Sequence, residues 1–358
     1  MVIMGSLDGR VVLITGAGRG IGREEALFFA GEGAKVVVND PGVAIDGTAG
    51  DAGVATKVVE EITARGGQAV PNVDSVADWN GARRMVETAL QSFGDLHVVV
   101  NNATIERNMG LADLSEEDFD DVLTVKLKGT FAVTHWAARH WRDQFHAGVH
   151  ADRAVVNTSS GSGLLNPLPA QVSYAAGNAG VAALTTVAAL ELGRYGVRVN
   201  CISPSMARTR LTLAVPGMTQ EPSAGRFDPL HPAASAPVAA YLASSACPLT
   251  GQVLSVRGGT VAVNRGWSLG GHIHKDGLWS VEELSEKVKE LPMDDPFDKL
   301  AHALTGALGT VGRTRLQEMI NALLDQGGET GTASMKTSRS APAASPSAGH
   351  SPSQITRS

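Results

Sequence analysis

The chain has 358 residues, 43% of them apolar and 18% charged, with a formal net charge of −6. That is an ordinary globular composition with ample core, and the negative balance argues against a broad nucleic-acid surface. Two cysteines, Cys201 and Cys247, are too few for a disulfide framework or a zinc site. The N-terminal residues lack the apolar run of a signal peptide, and no stretch reaches the roughly 18 consecutive apolar residues of a membrane span. A soluble, cytoplasmic protein is expected, with no nucleic-acid or membrane partner.

In chain order, short β-branched runs alternate with longer helical patterns. Residues 11–15 (VVLIT) read as a strand and 21–31 as a helix; 35–39 (KVVVN) form the next strand and 51–65 the next helix. Residues 68–73, 96–101, 154–158 and 197–202 read as further strands. Helices at 76–93, 116–142 and 173–194 separate them, and 253–256 is expected to be the last strand. Strands of four to six residues alternating with helices imply right-handed βαβ units. The expected fold class is therefore α/β, a doubly wound parallel sheet of the Rossmann type.

The regular pattern stops near Gly266, so residues 1–265 read as one nucleotide-binding domain. Residues 266–327 read as a helical extension. Residues 279–290 form an amphipathic helix opened by a Ser280–Glu283 capping box, and 310–324 form another. From 328 to 358 the composition shifts to Ser, Ala, Pro, Gly and Thr, and a disordered tail is expected.

Between the first strand and helix lies Thr15-Gly16-Ala17-Gly18-Arg19-Gly20-Ile21-Gly22. Glycines let backbone approach a pyrophosphate, and the helix N-terminus offers unpaired N–H groups and a positive dipole end. Gly16, Arg19, Gly20, Ile21 and Gly22 are thus candidate dinucleotide contacts. Asp40 ends the second strand, 24 residues after Gly16. A carboxylate there accepts hydrogen bonds from the ribose hydroxyls and repels a 2′-phosphate, which favours NAD over NADP. Its other reading is a turn residue before Pro41. Arg19 touches the phosphates, pulls toward NADP, or is solvated surface.

The spacing Thr15-Gly16-x3-Gly20-x-Gly22, then Asn101-Asn102-Ala103, then Tyr174, resembles the short-chain dehydrogenase/reductase family over about residues 7–259. The segments Val38-Asn39-Asp40, VVEEI at 58–62 and GGQAV at 66–70 are similar to the (3R)-hydroxyacyl-CoA dehydrogenase-like members of multifunctional enzymes. The resemblance implies that Asp74 and Ser75 meet the adenine and that Asn102 and Ala103 line the adenosine side. It implies that Val125 and residues 204–209 flank the nicotinamide. It implies a hydride transfer between nicotinamide and a hydroxy or oxo carbon, with a tyrosine as acid/base and a serine holding the carbonyl oxygen. In the family a lysine four residues after the tyrosine lowers its pKa, and an asparagine on the preceding helix supports that lysine.

Tyr174 matches the tyrosine and Ser160 the serine, one residue further from Tyr174 than the family spacing, with Ser162 as a fallback. The lysine position holds Asn178, and the supporting asparagine position holds Lys126, so the two residue types have exchanged places. A free phenol has a pKa of about 10, and an amide supplies no charge to lower it. Lys126 is expected either to send its ammonium toward the gap at Asn178 or to be an ordinary helix residue. Thr104 and Ser205 stand where the family has glycine, and Thr104 is expected to crowd the cleft.

The resemblance implies an NAD-dependent oxidoreductase, a 3-hydroxyacyl thioester being one substrate, assembled as a homodimer or homotetramer through the helix at 173–194 and its predecessor. Two other readings remain: a catalytically weakened dinucleotide-binding relative that senses or partners, and an acyl-CoA binding module. His135, His140 and His146 with Trp136 and Trp141 read as helix surface and interface, so no metal is expected. Arg208 and Arg210, in the proline-bearing loop 206–230, either meet an anionic substrate or are solvated.

Overall fold

In a computed structural model the described residues are 5–335, apart from 46, 49, 52, 214–217, 220–221 and 223–224. The elements, in order, are β1 (Val11–Thr15), α1 (Gly20–Gly31), β2 (Lys35–Asn39), α2 (Gly53–Ala64), β3 (Gln68–Asn72) and α3 (Trp79–Phe93). Next come β4 (Val98–Asn101), α4 (Glu116–Leu123), α5 (Gly129–His146), β5 (Arg153–Thr158), α6 (Val172–Leu192) and β6 (Val197–Pro204). The chain continues through α7 (Ala236–Ala243), β7 (Val253–Arg257), β8 (Thr260–Asn264), α8 (Val281–Lys287), α9 (Pro296–Leu308) and α10 (Arg313–Met335).

The sheet order is β3-β2-β1-β4-β5-β6-β7-β8, parallel from β3 to β7. Chain order reverses between β1 and β4, so the carboxyl ends of these strands open a crevice. Alternation along the strands divides the core. Val12, Ile14, Val36 and Val38 face α1, α2 and α7, while Val11, Leu13, Val37, Val99 and Val155 face α3, α5 and α6. Trp141 locks the second layer, fully buried with its indole N–H donating to Leu96 O at 2.7 Å.

The elements depart from the expected ones at four places. The strand at β7 is not the last, because β8 returns antiparallel with Arg257 opposite Thr260. Gly258 and Gly259 make the two-residue hairpin loop, Gly258 at φ +54°. The helix expected at 116–142 is not continuous: residues Thr124–Lys128 form a π turn between α4 and α5. One extra residue in the turn rotates the rest of the helix, and Lys126 is carried into the core. An unforeseen helix, α9, starts on an Asp295 cap with Pro296 at its first position. Finally the helix expected at 310–324 is α10, which runs to Met335; residues 336–358, where a disordered tail was expected, lie outside the described residues.

The Ser280–Glu283 capping box is present, opening a shorter helix than 279–290. In the extension, Leu300 and Leu316 are buried and Leu324 lies over Gly110. Val172–Tyr195 is long and apolar enough to cross a membrane by length and composition. It packs instead on β6 and β5, burying Ser173, Gly177, Asn178, Val181, Thr185 and Ala189 at helical spacing.

Candidate active site

The turn after β1 is built for close backbone approach. Gly16 has φ +64°, and a Cβ there would sit 2.8 Å from Ala103 Cα. A Cβ on Gly18 would meet Val54 Cγ1 at 2.4 Å and Asp40 Oδ2 at 2.8 Å. Thr15 Oγ1 accepts from the Asn102 and Ala103 amides, and Asn102 Nδ2 donates to Thr15 O and Gly16 O, all at 3.1 Å. These bonds tie the ends of β1 and β4 around the crevice. Gly20, Ile21 and Gly22 then open α1 directly after this turn.

At the adenosine end, Asp40 accepts from Gly18 N at 2.9 Å and Gly42 N at 2.7 Å. Its carboxylate therefore joins the end of β2 to the glycine turn. Arg19 Nη1 donates to Val43 O at 3.2 Å and Gly42 O at 3.4 Å, and Arg210 Nη1 reaches Val43 O at 3.5 Å. Asp74 accepts from Arg84 Nε at 2.7 Å and Asn72 Nδ2 at 3.0 Å, and Ser75 Oγ accepts from Ala77 N. From the loop after β6, Thr209 packs over Gly20, and Arg208 is anchored on Asp228 and Met218 O. The glycine turn fits a dinucleotide: its glycines let backbone pack closely on Ala103, Asn102 and Asp40 at the crevice, and the buried Asn178 Oδ1 has no hydrogen-bond partner.

Tyr174 lies in the first turn of α6, below the ends of β4 and β5. The side chains of Ser160 and Asn178 both reach its phenol. Ser160 Oγ also accepts from Ser162 N at 3.2 Å, whereas Ser162, the fallback, is buried with an unpartnered hydroxyl. Asn178 Nδ2 donates to Tyr174 O, one turn back, at 2.8 Å, and Ser159 Oγ donates to Asn178 O at 2.9 Å. Burial first, and then the nearby Glu106 carboxylate, push the Tyr174 phenol up to about 12, against the opposing pull of Ser160 and Asn178.

Lys126 is buried beneath α6, its stem against Gly177. Its ammonium donates to Thr158 O at 2.6 Å, at the end of β5. Burial lowers it to about 8, while Cys201 and Glu25 pull it back up. The Glu106 carboxylate opposes ionisation of Tyr174. Val125, in the same π turn, is half-buried against the layer of α3 and α5. Thr104 turns its hydroxyl onto Ile105 O at 3.2 Å.

Two buried carboxyls carry no motif and escape a reading of spacing alone. Glu25, on α1, is fully buried with both oxygens unpartnered, and burial raises it to about 8. Glu106, 8% exposed, accepts from Gln171 Nε2 at the start of α6. Burial raises it to about 7 against a hydrogen bond from Asn108. A carboxylate just beyond the end of β4, at the switch point, was the one available signal. The histidines lie apart: His135 stacks with Trp79, Phe131 and Trp136, and His140 Nε2 is 3.3 Å from Asp95 Oδ1. Among the described residues no three His, Cys, Asp or Glu side chains gather as metal ligands.

Residues 10–218 match the family model described as short chain dehydrogenase. A hydroxyacyl-CoA dehydrogenase of Mycobacterium tuberculosis is 39% identical over 291 residues, 79% of this chain and 89% of that protein. The peroxisomal multifunctional enzyme type 2 of Drosophila melanogaster is 38% identical over 252 residues, covering 70% of this chain but 39% of that longer protein. Among solved structures, a short chain dehydrogenase from Mycobacterium avium shares 47% identity with a TM-score of 0.71, covering 80% of this chain and 96% of that one.

Proposed function

Because the chain belongs to the short-chain dehydrogenase family and is an oxidoreductase enzyme, we propose that it transfers a hydride between NAD and a 3-hydroxyacyl or 3-oxoacyl thioester. The observation that carries the reading is the Tyr174–Ser160 pair at the carboxyl end of the sheet, beside a glycine cradle bordered by Asp40. A hydroxyacyl-CoA dehydrogenase at 39% identity supports the substrate class. Asp40 supports NAD, since its carboxylate would repel a 2′-phosphate. Arg19 and Arg210 stand nearby, but both point at carbonyls of the 42–43 turn.

When bound, the nicotinamide supplies or accepts the hydride. Gly16, Arg19, Gly20, Ile21 and Gly22 would hold its pyrophosphate, Asp40 its ribose, Asp74 and Ser75 its adenine edge. Asn102, Ala103 and Val125 would line the cleft, and Asn178 Oδ1 would accept from the second ribose. Ser160 Oγ donates to the substrate oxygen and orients it. Tyr174 gives its proton to that oxygen in reduction and takes it back in oxidation. With the phenol near 12, only about one in 10⁵ is ionised at pH 7. The site therefore favours reduction, which needs the phenol, over oxidation, which needs the phenolate. Lys126 holds the end of β5 through Thr158 O and so positions Ser159 and Ser160.

The specific test is cofactor choice: NADH should bind at least tenfold tighter than NADPH by fluorescence titration, and Asp40→Ala should erase the difference. Equal binding of both to the native protein would defeat the NAD reading. One observation favours the second reading, a weakened relative: Asn178 brings no charge to a phenol held near 12. That reading predicts NADH binding without turnover. A homodimer or homotetramer is part of the proposal, because Phe131 of α5 and Val187 and Leu190 of α6 expose apolar side chains, Leu190 at 81%. Sedimentation velocity showing a monomer would contradict it.

A further inference from the structure

We propose that Glu106 is a second acid–base group of this active site, a positioning residue that controls the proton on Tyr174. The inference deepens the hydride-transfer reading and rests on it for direction, though not for the coupling itself.

The carboxyl leaves the end of β4 and is buried against the start of α6. Gln171 Nε2 donates to it three residues before Tyr174, so one helical turn carries both the clamp on Glu106 and the phenol. The groups facing it are Tyr174 and Gln171 from α6 and Asn108 from its own loop. Arg107 beside it turns away, onto Asp118 at 2.9 Å and Asp121 at 3.3 Å of α4. The Lys126 ammonium donates to Thr158 O. No cation among the described residues is shown acting on Glu106, and its negative charge opposes a phenolate at Tyr174.

That pairing sets the chemistry. In reduction the Tyr174 O–H bond breaks as its proton passes to the substrate oxygen, leaving a phenolate. Protonated Glu106 then loses its O–H proton, and a proton reaches the phenolate oxygen through solvent. The charge comes to rest on the carboxylate, which takes a proton from solvent. Oxidation runs the same transfers in reverse and needs Glu106 ionised. Burial brings the carboxyl to about 7, so both of its forms are populated near neutral pH.

The test has a readout that needs no substrate. The chain has three tyrosines, so ultraviolet difference absorbance of phenolate, with Tyr174→Phe subtracted, isolates Tyr174. Glu106→Gln should lower the Tyr174 midpoint, giving about tenfold more phenolate at a given pH. The second readout is reduction of acetoacetyl-CoA by NADH. The native rate should fall as pH rises through about 7. That inflection should vanish in Glu106→Gln and return in Glu106→Asp. Should Glu106→Gln fail to fold, Gln171→Met, which removes a donor to the carboxylate, should move the inflection to higher pH. An unmoved phenolate midpoint in Glu106→Gln, or an unmoved inflection in Gln171→Met, overturns the proposal. Absence of any turnover with acetoacetyl-CoA tells against the hydride-transfer reading, while the phenolate titration still decides the role of Glu106.

Discussion

Asn178 governs what Tyr174 can do. Its amide holds Tyr174 O and reaches the phenol, but it brings no positive charge to set against burial and Glu106. A single opposite charge nearby lowers such a pKa by about one to three units. Asn178→Lys should therefore raise the rate of hydroxyl oxidation at pH 8 by at least about tenfold. Reduction at pH 6 should change far less. A pH–rate profile in both directions checks this, and equal gains in both would show that the substitution acts through packing instead. Tyr174, Ser160 and Asn178 were pointed to by the family resemblance, and the structure brings their side chains together. The fate of Lys126 was not so indicated. The chain shows an exchange of residue types, but the burial of Lys126 in a π turn and its hydrogen bond to Thr158 O depend on tertiary packing. Glu106 and Glu25 were equally hidden, since nothing local distinguishes a carboxylate that will be buried from a solvated one.

The elements themselves were largely legible. Strand alternation and the glycine turn located β1 through β7 within a residue or two, while the switch point between β1 and β4 came from the sheet order of the structure. The misses share a cause: they depend on turn chemistry. Gly258-Gly259 is a hairpin signal, yet the strand beyond it exposes Val261 and Val263 and lacks the buried alternation that marks a strand. At Gly16 the local rule is strict. Alanine there takes left-handed backbone, costing about 1–2 kcal/mol, and its methyl meets backbone at Ala103. Gly16→Ala should fold with a lower melting temperature and lose NADH binding by tenfold or more in a fluorescence titration. Native affinity in that variant would place the dinucleotide elsewhere.

Across the whole molecule, buried ionisable groups shape the response to pH. Glu25 and Glu106, raised to about 8 and about 7, keep protons in the native state that the unfolded chain has released. Their contribution is full below about 4.5, the ordinary value, and is lost as pH rises through 7 and 8. Lys126, lowered to about 8, works the other way: its contribution is full above 10.5 and is lost as pH falls to about 8. Melting temperature should thus fall between pH 5 and 8; above 8 the gain from Lys126 is opposed by Tyr174 and Cys201, both raised to about 12. Glu25→Gln, which keeps shape and removes one titration, should shrink the fall by several degrees. Calorimetry across that range checks it, and an unchanged slope in Glu25→Gln would mean that Glu25 does not titrate there.

The central claim is hydride transfer carried by Tyr174, and one measurement reaches it directly. NADH absorbance is followed with acetoacetyl-CoA at pH 6, for the native protein and for Tyr174→Phe at matched, verified NADH occupancy. The account predicts steady NADH consumption by the native protein and a loss of at least about 100-fold in the variant, the usual scale for removing a general acid. Equal consumption by both proteins, or NADH bound by both and consumed by neither, would contradict it.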